Sequence, residues 1–284
     1  MRTPAIGIIL LCPLLWLAAC DVAPESEQGP APSSGETRAA RIVSLDYCAD
    51  QYVLKLVDRE RILALSPDAG RAFSYLRDLA PGIPAVRPAA EDVLVLNPDL
   101  VVRSYGGGPN AAAFYARAGV PVLNVGYAAT IAEILTLTET VAAGLGESDR
   151  GREVVAETRE RLAALPKPRD TARTLYMTPG GVTTGPGSLI HEMLLAAGLE
   201  NYQKLPGWRS IPLESLAHEP PERVAYASFG TSAAHRDLWS AMRHPVARQQ
   251  LADREVVSLQ GAWTACGGWF ALDAIEALSR SAAP

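Results

Sequence analysis

The sequence predicts an α/β protein of two Rossmann-like lobes joined by one long α-helix. Three observations carry this expectation. From Arg41 onward, short β-rich runs alternate with helical stretches, the rhythm of a mainly parallel sheet whose crossovers are helices. The rhythm breaks once, between Ile131 and Leu165, where no strand signal occurs. It then resumes as a second series, so the break reads as a connector between two similar halves. A single doubly wound sheet with a long helical insertion is the competing architecture.

The chain opens with one basic residue, Arg2, and an apolar run from Ala5 to Ala19. That run is shorter than the ~20 apolar residues a bilayer span requires. A basic start, an apolar core and small residues before a cut site describe a secretory signal peptide over residues 1–19. Leu17-Ala18-Ala19-Cys20 also resembles the bacterial lipobox, which makes Cys20 the expected lipidated first residue. An ordinary signal peptide cut near Ala19 is the plainer alternative. Asp21 resembles the signal that keeps lipoproteins on the inner membrane, so the expected location is the periplasm, anchored to that membrane. Residues 20–40 are rich in Pro, Ser, Gly and Glu and read as a flexible tether.

The first lobe is expected over 41–146, from the runs "RIVSL", "DQYVLKLV", "RILAL", "DLVVR", "NAAAFYARAG" and "VPVLNVG". "IAEILTLTETVAAGLG" closes at Gly144 and Gly146, a helix stop. "ESDRGREVVAETRERLAAL" follows, with Val154, Val155, Thr158 and Leu162 along one helical face. Glu157 and Arg161 offer an i,i+4 pair on the other. This bridging helix, 147–165, would be ~28 Å long at 1.5 Å per residue. "PKPRD" stops it, and "RTLYMT" opens the second lobe, 166–284.

Composition narrows the function. Losing residues 1–19 removes Arg2 and no acid, leaving 26 − 1 = 25 basic residues against 31 acidic ones, a balance of −6. A nucleic-acid binder would carry a concentrated basic surface instead. Cys48 and Cys266 are left in an oxidising compartment. They are a disulfide, a pair of thiols at a ligand, or two unrelated buried cysteines. Both are expected near the cleft, and the disulfide requires Cα atoms within about 7 Å.

A repeated phrase is the most informative motif. "AAEDVLVLNPDLVV" places Glu91 seven residues before Pro98, and "PLESLAHEPPERVAY" places Glu214 seven residues before Pro221. Each glutamate falls in the first turn of a short helix ahead of a strand, where the helix dipole favours an anion. Matched carboxylates on two lobes suit a symmetric basic partner.

Four motifs in order, "RIVSLDYCADQYVLKL", "EDVLVLNPDLVV", "TTGPGSLIHEMLLAAGLEN" and "GWRSIPLESL", resemble the helical-backbone (class III) periplasmic binding proteins of ABC importers. These serve cobalamin, iron–siderophores and haem, and the resemblance runs from about Arg41 to near the C-terminus. It implies two lobes bridged by a long helix, with the ligand held between them. It implies that Glu91 and Glu214 dock on arginines of a permease dimer, which works with its ATPase. It also implies that Trp208 contacts ligand, as in the cobalamin-binding members. The sequence departs from those members at Ala262 and Cys266, where an arginine and an aspartate would stand.

Cleft residues follow from position, because open α/β sheets bind ligands beyond the carboxyl ends of their strands. Those ends carry Asp46, Tyr47 and Cys48, then Ser104 and Tyr105, then Thr183 and Thr184, and finally Trp263 and Cys266. Trp208 and Arg209 join them from the loop before Glu214. Aromatic walls suit a wide, flat metal chelate. The expected ligand is a corrinoid such as cobalamin or a ferric siderophore, the latter held by Arg103 and Arg209. No resident cofactor, protein-held metal or catalytic residue is expected, and the chain is expected to act as a monomer.

Enzyme readings fare worse. Gly106, Gly108 and Ala111 fit G-x-G-x-x-A, but the downstream ribose-binding acid is missing, with Asn124 and Tyr127 in that region. "HEMLL" carries leucine at 195 where a second zinc ligand would stand. "PGSLI" lacks the glycines of a nucleophile elbow. His191, His218, His235 and His244 are scattered. The alternative from another class is an exported α/β hydrolytic enzyme, which would converge a nucleophile, a base and oxyanion donors in the cleft.

Overall fold

Short strands, many of them leading into a helix, build two separate parallel sheets in the computed structural model, which describes residues 39–166, 168, 171–229 and 240–282. The signal peptide, Cys20, nearly all of the tether and His235 lie outside the described residues. In the first lobe β1 (Ile42–Ser44) leads through α1 (Tyr47–Leu56) to β2 (Ile62–Ala64). Helix α2 (Ala90–Leu94) precedes β3 (Leu100–Arg103), and α3 (Ala111–Arg117) precedes β4 (Val122–Asn124). The strands pair in the order β2-β1-β3-β4, all parallel. Successive residues of a strand point to opposite faces. Ile42 therefore enters one apolar layer with Tyr52, Val53 and Leu56 of α1, while Val43 enters another with Val101 and Tyr115.

Two helices follow. Helix α4 (Ile131–Gly144) starts with a capping box in which Thr130 and Glu133 satisfy each other's backbone. It ends with Gly146 at φ +72°. The amides of Gly146 and Glu147 bond back to Ala143 and Ala142, which is the Schellman pattern. Helix α5 (Ser148–Ala163) packs on α4 so closely that a Cβ on Gly151 would lie 2.4 Å from the Ala142 Cβ.

The second lobe contains β5 (Arg173–Met177), β6 (Val182–Thr184), α6 (Leu189–Ala196), β7 (Glu200–Asn201), β8 (Trp208–Ser210), α7 (Leu213–His218) and β9 (Arg223–Ser228). Then come α8 (Pro245–Asp253), β10 (Glu255–Gln260), α9 (Gly261–Thr264) and α10 (Ala271–Ala282). Its parallel sheet has the order β10-β9-β5-β7, and β6 pairs antiparallel with β8 beside it. Apolar layers cover both faces of this sheet, one built with α6 and α10 and the other with α7 and α8.

Helix α5 bridges the lobes, held at each end by arginine. Near its start, Arg150 donates to the Leu56 carbonyl at 2.7 Å and pairs with Asp58, while Arg61 pairs with Glu147. Near its end, Arg161 binds Asp273 and Glu276 of α10, each at 2.8 Å. This corrects the expected Glu157–Arg161 pair. Two carboxylates from a packed neighbour offer Arg161 a better-ordered site than one exposed partner on its own helix.

Candidate functional site

The strand ends of the first lobe converge on Asp46. Its Oδ1 accepts from the Ala49 amide at 3.0 Å, capping α1. Its Oδ2 accepts from the amides of Ser104, Tyr105 and Gly106 at 2.7, 3.0 and 2.8 Å. Arg103 grips the same loop from its carbonyl side, donating to Gly106 at 2.6 Å, to Gly108 at 2.9 Å and to Asn124 Oδ1 at 3.2 Å. Gly106 is required here because a Cβ would lie 2.5 Å from the Leu45 carbonyl oxygen. Arg103 is thus buried and spent on its own loop, which corrects the expectation that it holds a ligand.

The clamped loop presents Tyr105, which is 54% exposed. Tyr47 lies edge-on to it at 6.0 Å and edge-on to Phe73 at 4.8 Å. Burial, then the nearby Asp46, pushes the Tyr47 phenol above its ordinary pKa. Burial and the neighbouring Tyr47 push that of Tyr105 up as well. Tyr127, in the loop that follows β4, is 72% exposed. Ser104 joins the same group, its hydroxyl donating to the Gly126 carbonyl at 3.2 Å.

In the second lobe Trp208 is 59% exposed, with its ring 6.1 Å from that of Tyr176. Strand pairing sets Thr184 opposite Trp208 and Thr183 opposite the exposed Arg209. Thr183 itself is fully buried with its hydroxyl enclosed, so it is not offered to a ligand, contrary to expectation. Trp263 is half-buried against the second core. The predicted residues therefore fall into two groups, Tyr47, Ser104 and Tyr105 in one lobe and Trp208, Arg209 and Trp263 in the other.

Cys48 and Cys266 form a disulfide, with Cα atoms 5.7 Å apart. Neither is a free thiol for a ligand. Cys266 packs with Trp269 and Phe270 into the first lobe's core, so the segment after α9 crosses over from the second lobe. Tyr52 holds the crossover by donating to the Gly267 carbonyl at 3.2 Å. Glu91 and Glu214 are exposed in the first turns of α2 and α7, and neither makes an ion pair among the described residues.

Sequence reasoning does not single out Phe73 or Arg77, and it names Tyr127 only against the dinucleotide reading. A cavity of 330 Å³ is lined by Ala72 and Arg77 from the first lobe and by Ser228, Ser258, Leu259 and Gln260 from the second. It lies at the carboxyl ends of β9 and β10, against the loop that follows β2. The enzyme motifs dissolve in the structure. Ser188 caps α6 by accepting from the His191 amide at 3.2 Å, and the His191 ring lies 3.3 Å from the Asn201 amide nitrogen.

Residues 42–260 match the family model for the periplasmic binding protein. The chain belongs to that family. No curated protein matches it. Among solved structures, the periplasmic heme-binding protein RhuT from Roseiflexus sp. RS-1, in apo form, is similar with a TM-score of 0.69 and 20% identity, covering 86% of this chain and 99% of that one. The heme-binding HutB of Vibrio cholerae has a TM-score of 0.68 at 17% identity, covering 86% and 99%. A heme-binding protein from Pseudomonas aeruginosa has 0.63 at 20%, covering 87% and 93%. At such identities the likeness carries the two-lobed fold. This periplasmic binding protein is a solute binder, not an enzyme. No helix among the described residues is long and apolar enough to cross a membrane.

Proposed function

We propose that this periplasmic binding protein captures a metal tetrapyrrole, a haem or a corrinoid, and delivers it to an ABC permease. One observation carries the reading. Aromatic side chains of both lobes stand at or beside the carboxyl ends of the strands, Tyr47, Phe73, Tyr105 and Tyr127 on one side and, on the other, Trp263 after β10 and Trp208 on the antiparallel pair next to it. Rings of this kind give a flat chelate large contact area at little entropic cost. The heme-binding titles of several structural neighbours point the same way.

Glu91 and Glu214 serve as the docking pair for the permease, and the lipobox makes Cys20 the membrane anchor. Palmitate labelling that Cys20→Ser abolishes tests the anchor. The ligand is tested by titrating delipidated protein with haemin, aquacobalamin and a ferric hydroxamate, following absorption and melting temperature. At a hundredfold excess over Kd a bound ligand adds about 2.7 kcal/mol, which for a domain of this size is roughly 5–11 °C in Tm. A shift with the hydroxamate alone, or with no ligand, would refute the tetrapyrrole reading.

A further inference from the structure

Arg77 is a cation that faces the cleft. Its guanidinium makes one hydrogen bond, to the Ser74 carbonyl at 3.3 Å, and has no carboxylate partner among the described residues. It lines both the 330 Å³ cavity between the lobes and a second cavity of 390 Å³, whose lining includes Ser66, Pro67, Gly70, Asp78 and Ile83. Among the described residues, the lining of the interlobe cavity contains no acid. Across from Arg77 stand the neutral Ser228, Ser258 and Gln260.

The loop that carries Arg77 is fixed on both flanks. The buried Gln51 donates to Ser74 Oγ at 2.8 Å and accepts from the Leu76 amide at 2.7 Å. Tyr75 donates to Asp273 at 2.8 Å and stacks on Phe270 at a centroid distance of 4.8 Å. The anchored loop fixes where Arg77 leaves the backbone, and its planar donors match a carboxylate.

We infer that the interlobe cavity at Arg77, Ser228 and Gln260 binds the peripheral carboxylates of an anionic metal chelate, so that the ligand bears acid side arms rather than amides. The inference rests on the chelate reading above and deepens it. A ferric porphyrin with propionates fits, as does a polycarboxylate ferric siderophore, whereas the amide arms of a corrinoid offer Arg77 hydrogen-bond acceptors but no counter-charge.

The test titrates wild type, Arg77→Gln and Arg77→Lys with haemin, haemin dimethyl ester, cyanocobalamin and ferric citrate, with circular dichroism verifying that each variant is folded. The expected result is that haemin binds wild type at least tenfold more tightly than its diester. Arg77→Gln should erase that preference and Arg77→Lys should restore part of it. Equal affinity for haemin and diester, or tighter binding of cyanocobalamin, overturns the acid-arm site while leaving the tetrapyrrole reading intact. Binding of ferric citrate alone, lost in Arg77→Gln, supports the site and removes the tetrapyrrole reading. No binding of any probe overturns both.

Discussion

Replacing Cys48 and Cys266 together by alanine removes a cross-link between residues 218 apart in sequence, which encloses most of the described chain. In the chain-entropy treatment, closing a loop of that length withdraws about 18 cal/mol/K from the unfolded ensemble, or roughly 5 kcal/mol at 25 °C. The folded state keeps its other anchors for the crossover. Trp269 and Phe270 stay in the first core, Tyr52 still reaches the Gly267 carbonyl, and Tyr75 still reaches Asp273. The variant is therefore expected to fold normally but to melt roughly 10–20 °C lower, at about 2–4 °C per kcal/mol for this size. Its urea m-value should rise, because an uncrosslinked unfolded chain exposes more surface. Thermal and urea melts of delipidated protein measure both, with reduced wild type as a second route to the same state. A Tm within about 2 °C of wild type by both routes, together with two free thiols in oxidised, denatured wild type, would refute the bridge and its energetics.

Asp46→Asn should cost roughly 3 kcal/mol, since three amides would lose a charged acceptor; urea melts measure it, and a loss under about 0.5 kcal/mol contradicts the clamp. Glu91→Arg and Glu214→Arg should abolish transport and permease association while ligand affinity stays unchanged, with the defect easing as salt rises. Loss of ligand binding in the purified variants would contradict docking. Asp50 is fully buried, and burial, partly offset by its bonds to Ser66, raises its pKa to about 6. Because the folded pKa lies above the unfolded value, the folded state holds the proton between the two, and stability falls as pH rises from about 4 to 6. Relative to Asp50→Asn, wild type should lose up to roughly 3 kcal/mol across that window, and parallel pH–stability curves would refute the assignment.

The two-lobed architecture was legible because strand alternation, the capped helices and the Gly144–Gly146 stop are local signals. Gly146 does take the left-handed conformation of a Schellman cap. The first-turn positions of Glu91 and Glu214 were legible for the same reason. The loop from Ser66 to Ala85 was not, because what orders it is distant in sequence, namely Gln51 on α1 and Asp273 on α10. Phe73 and Arg77 ride on that loop and were missed with it. Thr183 reads as a cleft residue until β8 is seen to pair alongside it. The cysteines read as facing each other across a cleft from opposite lobes. In fact the segment after α9 enters the first core, and only that crossing brings the two Cα atoms to 5.7 Å.

The ties between the lobes bear directly on how this binding protein works. Helix α5 is pinned at its start by Arg150 and near its end by Arg161, the disulfide holds the return crossover, and Tyr75 joins the first lobe to the α10 carboxylate that Arg161 also uses. Three connections of different kinds leave little room for a large hinge. Affinity must then come from walls already in place, which lowers the ordering cost of binding. The Asp46–Arg103 clamp meets that demand by fixing Tyr105 before any ligand arrives. The Gln51 and Tyr75 anchors do the same for Arg77. On the proposed docking role, ties of this kind would hold the spacing of Glu91 and Glu214 nearly constant, so that a permease would meet the two carboxylates at a fixed separation.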